Sequence, residues 1–150
     1  MKIILFEPQI PQNTGNIVRT CAVTGTDLIL YNPGFSTSDR MLKRAGLDYW
    51  EGVNVQLIEE FEELEKMLTE ATGNFHFFSS KASKRYTDIS YAKDDWLIFG
   101  SETTGLPSIV FEKWPERFAT IPMREGARCL NLATSAGVVI YEAWRQQNFE

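Results

Sequence analysis

Trp96-Leu97-Ile98-Phe99-Gly100-Ser101-Glu102-Thr103-Thr104-Gly105-Leu106-Pro107 is the stretch on which the reading of this chain turns. Four apolar residues predict a buried strand, and a loop rich in glycine and small polar residues follows at once. In open α/β sheets, ligands bind outside the carboxyl ends of strands, in loops of this kind. Working outward, apolar runs alternate with helical patterns along the whole chain. Strands are expected at Lys2–Phe6, Asp27–Tyr31, near Val53–Leu57, at Phe75–Ser79 and at Phe118–Ile121. Helices are expected from Asn13 to Thr24, Ser38 to Ala45, Glu59 to Ala71 and Leu132 to Gln146, with Asn13 or Thr14 capping the first and Gly25 stopping it. The alternation predicts an α/β fold, a mainly parallel sheet with helices on both faces, in a single domain spanning 1–150. A second loop, from Ile121 to Asn131, is long for a strand-to-helix connection and so points to function.

Composition narrows the class. The 150 residues are 43% hydrophobic and 13% aromatic, enough to fill a core. No apolar run approaches the roughly 20 residues that span a bilayer, and Met1–Phe6 is too short for a signal peptide, so a cytoplasmic protein with no membrane association is expected. The two cysteines, Cys21 and Cys129, are read as buried reduced thiols. With one histidine and no clustered cysteines, no metal is expected, and His76, within Phe75-His76-Phe77-Phe78, is read as a strand residue facing a neighbour. The net charge of −5 gathers partly in Glu59–Glu65, read as the solvated face of a helix. Basic residues group elsewhere, as Lys43 with Arg44, Lys81 with Lys84 and Arg85, and Arg124 with Arg128, where they can meet phosphates. There is no phosphate-binding G-x-x-x-x-G-K-[ST], no G-x-G-x-x-G after the first strand, and no G-x-S-x-G elbow.

Three segments carry a resemblance. They are Asn13-Thr14-Gly15-Asn16-Ile17-Val18-Arg19-Thr20, then Phe99 to Pro107, then Ile121-Pro122-Met123 leading to Arg128-Cys129-Leu130-Asn131-Leu132-Ala133-Thr134-Ser135-Ala136. In this order and spacing the chain resembles the 2′-O-ribose branch of the SPOUT class of RNA methyltransferases. Gly34-Phe35-Ser36 leading into Met41 to Trp50, and Tyr141 to Gln146, are similar to the TrmL (YibK) family, which methylates the wobble ribose of tRNA. The resemblance covers nearly the whole chain. It implies a fold with a C-terminal trefoil knot, a homodimer with the active site near the subunit interface, S-adenosylmethionine as cofactor with S-adenosylhomocysteine as product, and tRNA as partner.

The resemblance also implies site residues. Phe78, Gly100, Ile121, Cys129 and Leu130 match cofactor-binding positions, and core packing is the alternative for Phe78, Ile121 and Leu130. Arg19, Asn13, Glu102 and Asn131 match catalytic positions. A guanidinium, with a pKa of about 12.5 or above, is a poor base near neutrality. Arg19 is therefore expected to orient the ribose or a phosphate and to stabilise a developing alkoxide. Asn13 reads equally as a helix cap. Cys129 and Ala133 stand where many relatives carry serine. The target is expected to be a wobble cytidine or modified uridine; the alternatives are another tRNA or rRNA position, or a non-catalytic RNA- or cofactor-binding protein on the same fold.

Overall fold

The structure, a computed structural model, describes residues 1–36 and 52–150. The helix expected over Ser38–Ala45, the Lys43–Arg44 pair and the Met41–Trp50 match lie outside the described residues.

Among the described residues the sheet has six strands: β1 (Lys2–Phe6), β2 (Asp27–Tyr31), β3 (Val55–Ile58), β4 (Phe75–Phe78), β5 (Trp96–Phe99) and β6 (Phe118–Ala119). Their order is β3-β2-β1-β5-β4-β6, and every pairing is parallel. Apart from the edge strand β3, whose Gln56 and Leu57 are exposed, the strands are short, largely apolar runs because both faces are covered. Ile3, Leu5, Leu97 and Phe99 face α1 (Pro11–Thr24) and α4 (Leu132–Gln146). Ile4, Phe6, Trp96 and Ile98 face α2 (Phe61–Thr69) and α3 (Ser108–Lys113). The expected α/β architecture is present, and α4 begins and ends where its apolar stripe does.

Several boundaries differ from expectation: the helix expected over Glu59–Ala71 spans Phe61–Thr69, the strand expected near Val53–Leu57 spans Val55–Ile58, and those expected to reach Ser79 and Ile121 end at Phe78 and Ala119. α1 starts at Pro11, not Asn13, with Ile10 at the N-cap and no side-chain cap bond. Proline suits the first helical turn, since its missing N–H has no partner there anyway. Gly25 stops the helix as expected, in the left-handed conformation at φ 65°. α3 follows Pro107 and has six residues, too few to display a periodicity.

The chain after α3 takes an unusual course. Ser79 N–H donates to the Ala119 carbonyl, while Thr120 N–H donates to Lys84 O and Tyr86 N–H donates to Thr120 O. Residues 118–120 thus run between β4 and the 84–86 arm of the loop that leaves β4, bonded to both. Beyond this passage come the 121–131 loop and α4, which packs on α1.

Candidate active site

The sheet order reverses between β1 and β5, so the loops leaving these two adjacent strands open a crevice at their carboxyl ends. After β1, Glu7 turns the chain at φ 49°. After β5, the 101–105 loop closes on itself: Ser101 N–H donates to Gly105 O at 3.1 Å and Gly105 N–H to Ser101 O at 2.9 Å. Gly105 has φ 66°, which glycine adopts without strain. A Cβ on Gly100 would lie 2.3 Å from the Gly105 carbonyl carbon, so the loop's close approach demands glycine at 100.

This loop delivers Glu102 to the start of α1. Its Oε2 accepts from Gln9 N–H at 2.8 Å and its Oε1 from Ile10 N–H at 3.1 Å. These amides precede the first helical residue, where a carboxylate also complements the helix dipole. Oε1 further accepts from Asn13 Nδ2 at 3.2 Å. Asn13 Oδ1 in turn accepts from Asn131 Nδ2 at 2.9 Å. Asn131 is the N-cap of α4, its Oδ1 accepting from Ala133 N–H at 2.8 Å and Thr134 N–H at 3.3 Å. Each amide has one orientation consistent with all its bonds, so the chain of contacts from Glu102 through Asn13 to Asn131 is self-consistent. Asn13 therefore does not cap its own helix; it is buried and ties two distant loops together.

A cavity of about 500 Å³ opens beside this chain of contacts. Asn13, Glu102 and Asn131 line it, as do Phe78, Gly100, Ile121, Cys129 and Leu130. Eight of the nine residues singled out from the sequence are thus brought together. Arg19 is not among the lining residues; it lies exposed on α1, on the face that carries Gln12, Asn16 and Val23. Cys129 is exposed, which corrects the expectation of two buried thiols, while Cys21 is buried against the sheet. Burial, with a smaller effect from Asp27, pushes the Cys21 thiol up to about 12. Lining residues that went unassigned include Ile10, Ser79, Thr120 and Met123. Their signal was position: each stands within a few residues of a strand's carboxyl end.

His76 and Asp95 pair with each other away from the cavity. His76 faces its neighbour, Nε2 lying 3.2 Å from Asp95 Oδ2. Asp95 is fully buried. Burial alone would raise its pKa, but bonds from His76 and from Ala92 and Asn74 N–H outweigh it and hold the carboxyl below its ordinary value. The acidic run at 59–65 contributes nothing to the cavity wall, whereas Lys81 lines it. Among the described residues no group of three or more histidine, cysteine or carboxylate side chains could hold a metal, and no helix is long and apolar enough to cross a membrane.

Comparison with known proteins gives a consistent picture. The profile of the SpoU rRNA Methylase family matches residues 1–141. The chain is 46% identical to a tRNA (cytidine(34)-2'-O)-methyltransferase of Methylovorus glucosotrophus, over 98% of this chain and 96% of that one. A solved structure described as giving insights into 2-OH methylation of C/U34 on tRNA is 38% identical, with a TM-score of 0.89 over 99% of this chain and 97% of the other. The SpoU methyltransferase AviRb of Streptomyces viridochromogenes, solved with AdoMet, shares the fold at 20% identity, with a TM-score of 0.89 over 100% of this chain and 61% of that one. With a family profile spanning nearly its full length, this chain belongs to the SpoU methylase family.

Proposed function

We propose that this protein transfers a methyl group from S-adenosylmethionine to the ribose 2′-hydroxyl of the nucleotide at tRNA position 34, a cytidine or a modified uridine. The observation that carries this reading is the Glu102–Asn13–Asn131 chain of contacts on the wall of the cavity, in a chain 46% identical to a cytidine(34) 2′-O-methyltransferase. The cavity suits a nucleoside-bearing cofactor in size. Phe78, Ile121 and Leu130 offer apolar surface, and the glycine at 100 lets backbone approach closely. Backbone groups at 129 and 130 serve the same purpose, which a thiol in place of serine at Cys129 leaves intact.

S-adenosylmethionine, which Phe78, Gly100, Ile121 and Leu130 would hold, would supply a methyl group activated on a sulfonium sulfur; transfer to the 2′-oxygen would break the carbon–sulfur bond, leave S-adenosylhomocysteine and pass the hydroxyl proton to solvent water. The protein's share is chiefly positioning. Glu102 already accepts three hydrogen bonds from the chain itself, so it acts as a strut holding the β1 loop against the β5 loop. Asn131 fixes the start of α4 relative to both. Arg19 steadies the ribose or a neighbouring phosphate and stabilises the developing alkoxide.

Arg19 reaches a cavity in a homodimer, where one protomer's arginine serves its partner's site. Support comes from α1 and α4, which pack together and carry exposed Val23 and Tyr141. The passage of residues 118–120 between the two arms of the 79–86 loop supports the trefoil knot, in a single domain working in the cytoplasm. The test is transfer from labelled S-adenosylmethionine to unmodified tRNA and to rRNA in parallel. Label in tRNA supports the reading; label in rRNA alone moves the substrate; cofactor binding without transfer to either overturns catalysis.

A further inference from the structure

The 121–131 loop is exposed along most of its length, yet one part of it has defined shape. Ala127 N–H donates to the Arg124 carbonyl at 3.0 Å, closing a four-residue turn, and Gly126 at the third position has φ 76°. That is the conformation a type II turn requires, and it suits glycine there. The turn folds the backbone of Arg124 onto Ala127, and Arg128 is the next residue in the chain. Neither arginine has a carboxylate partner among the described residues. Glu125 lies within the turn, so the two arginines leave this segment with one net positive charge. Lys81, on the cavity wall, also has no carboxylate partner among the described residues. The cavity also has exposed apolar side chains: Met123, adjoining Arg124 in sequence, is 38% exposed and Ile10 is 43% exposed, and both line it. Exposed apolar side chains beside unpaired cations suit a ligand with a flat apolar face and an anionic backbone, which is a nucleotide within an RNA strand.

We propose that the Arg124–Ala127 turn, with Arg128, is a phosphate clamp at the mouth of the cavity, and that Ile10 and Met123 form a shelf on which the base of the methylated nucleotide rests. This rests on the proposed methylation of tRNA. The shelf's side chains offer no donor and only the weakly accepting thioether of Met123, so it holds the face of a pyrimidine without reading its edge and takes cytidine and uridine alike. Specificity for the position then comes from the phosphates and the shape of the loop.

The experiment measures binding of an anticodon stem-loop RNA to the full-length protein across a salt series, with S-adenosylhomocysteine present. Each phosphate contact in a single strand contributes about 0.7 to the slope of log K against log salt. Arg124→Gln and Arg128→Gln should each lower the slope by about that amount, with affinity for S-adenosylhomocysteine unchanged as the control for folding. Arg124→Lys should keep the slope, since the charge is what meets the phosphate. Met123→Ala should weaken RNA binding roughly fivefold with the slope unchanged, and the ratio of cytidine to uridine methylation should stay as in the wild type. Unchanged slopes in both arginine variants overturn the clamp. A Met123→Ala protein that binds RNA as before, or whose cytidine-to-uridine ratio changes, overturns the shelf. Wild-type protein that binds with the stated slopes and transfers no methyl group overturns the functional reading and leaves the clamp standing.

Discussion

Asn131 donates from Nδ2 to Asn13 Oδ1 at 2.9 Å, joining residues 118 positions apart in sequence. Asn13 passes the connection on to Glu102, so the first helix, the β5 loop and the start of the last helix are held as one unit. Replacing Glu102 with glutamine turns one oxygen acceptor into an NH2 that faces either the Gln9 amide or the Ile10 amide and Asn13 Nδ2, which breaks the joint without changing its volume. A misplacement of about 1 Å costs on the order of 100-fold in such positioning chemistry. Glu102→Gln should therefore lower kcat by roughly that factor while S-adenosylhomocysteine still binds, as steady-state kinetics and calorimetry together would show.

Gly100 gives a prediction on stability and binding at once. An alanine Cβ would meet the Gly105–Leu106 backbone at 2.3 Å, and backbone cannot swing aside as a side-chain tip can. Gly100→Ala should destabilise the protein by about 1–3 kcal/mol and weaken cofactor binding. Thermal melting with and without S-adenosylhomocysteine measures both; a variant with wild-type melting in both conditions contradicts the account.

The two thiols should behave oppositely. Burial holds the Cys21 thiol at about 12, so almost none of it is thiolate near neutrality, whereas Cys129 is exposed at the cavity. Mass spectrometry after brief alkylation of the native protein should find the label on Cys129 and not on Cys21. Prior addition of S-adenosylhomocysteine should slow the labelling.

Asp95 sets an acid limit on stability. Its folded-state carboxyl sits below the ordinary value of 3.8, so the stabilisation is complete above that value and is lost as pH falls through the lower folded value. Melting temperature should respond little to this group near neutrality and fall steeply below about pH 4. Asp95→Asn should lower stability near neutrality by roughly 1–3 kcal/mol and flatten the acid fall, as denaturant titrations at several pH values would record.

The proposed homodimer with shared sites makes a sharp prediction for mixtures. Arg19→Ala and Glu102→Ala proteins should each be nearly inactive alone. Co-refolded in equal amounts, half the dimers are mixed, and one of the two sites in each regains both residues. Activity should return to about a quarter of wild type. A mixture as inactive as its parts would place Arg19 in its own protomer's site.

What the chain reveals in advance follows from how local each signal is. The strand runs, the apolar stripe of α4 from Leu132 to Gln146 and the left-handed stop at Gly25 are local patterns, and they were legible. Asn13 was not: a cap and a cross-link use the same amide, and the partners that decide between them, Glu102 and Asn131, are remote. The start of α1 at Pro11 was missed because the carboxylate serving the amides just before it comes from another loop. The passage of residues 118–120 beside both arms of the 79–86 loop is a relation between distant segments that no periodicity records. Exposure of Cys129 depends on the course of its loop, which its flanking residues do not specify.

The most direct measurement maps the product. Transcribed tRNA lacking 2′-O-methyl groups is incubated with the wild-type protein and S-adenosylmethionine, then digested and sequenced by mass spectrometry. The account predicts one added methyl group, on the ribose at position 34, lost in Arg19→Ala and strongly reduced in Glu102→Gln. A methyl group on a base, on a ribose elsewhere, or on no nucleotide while the cofactor binds would contradict it.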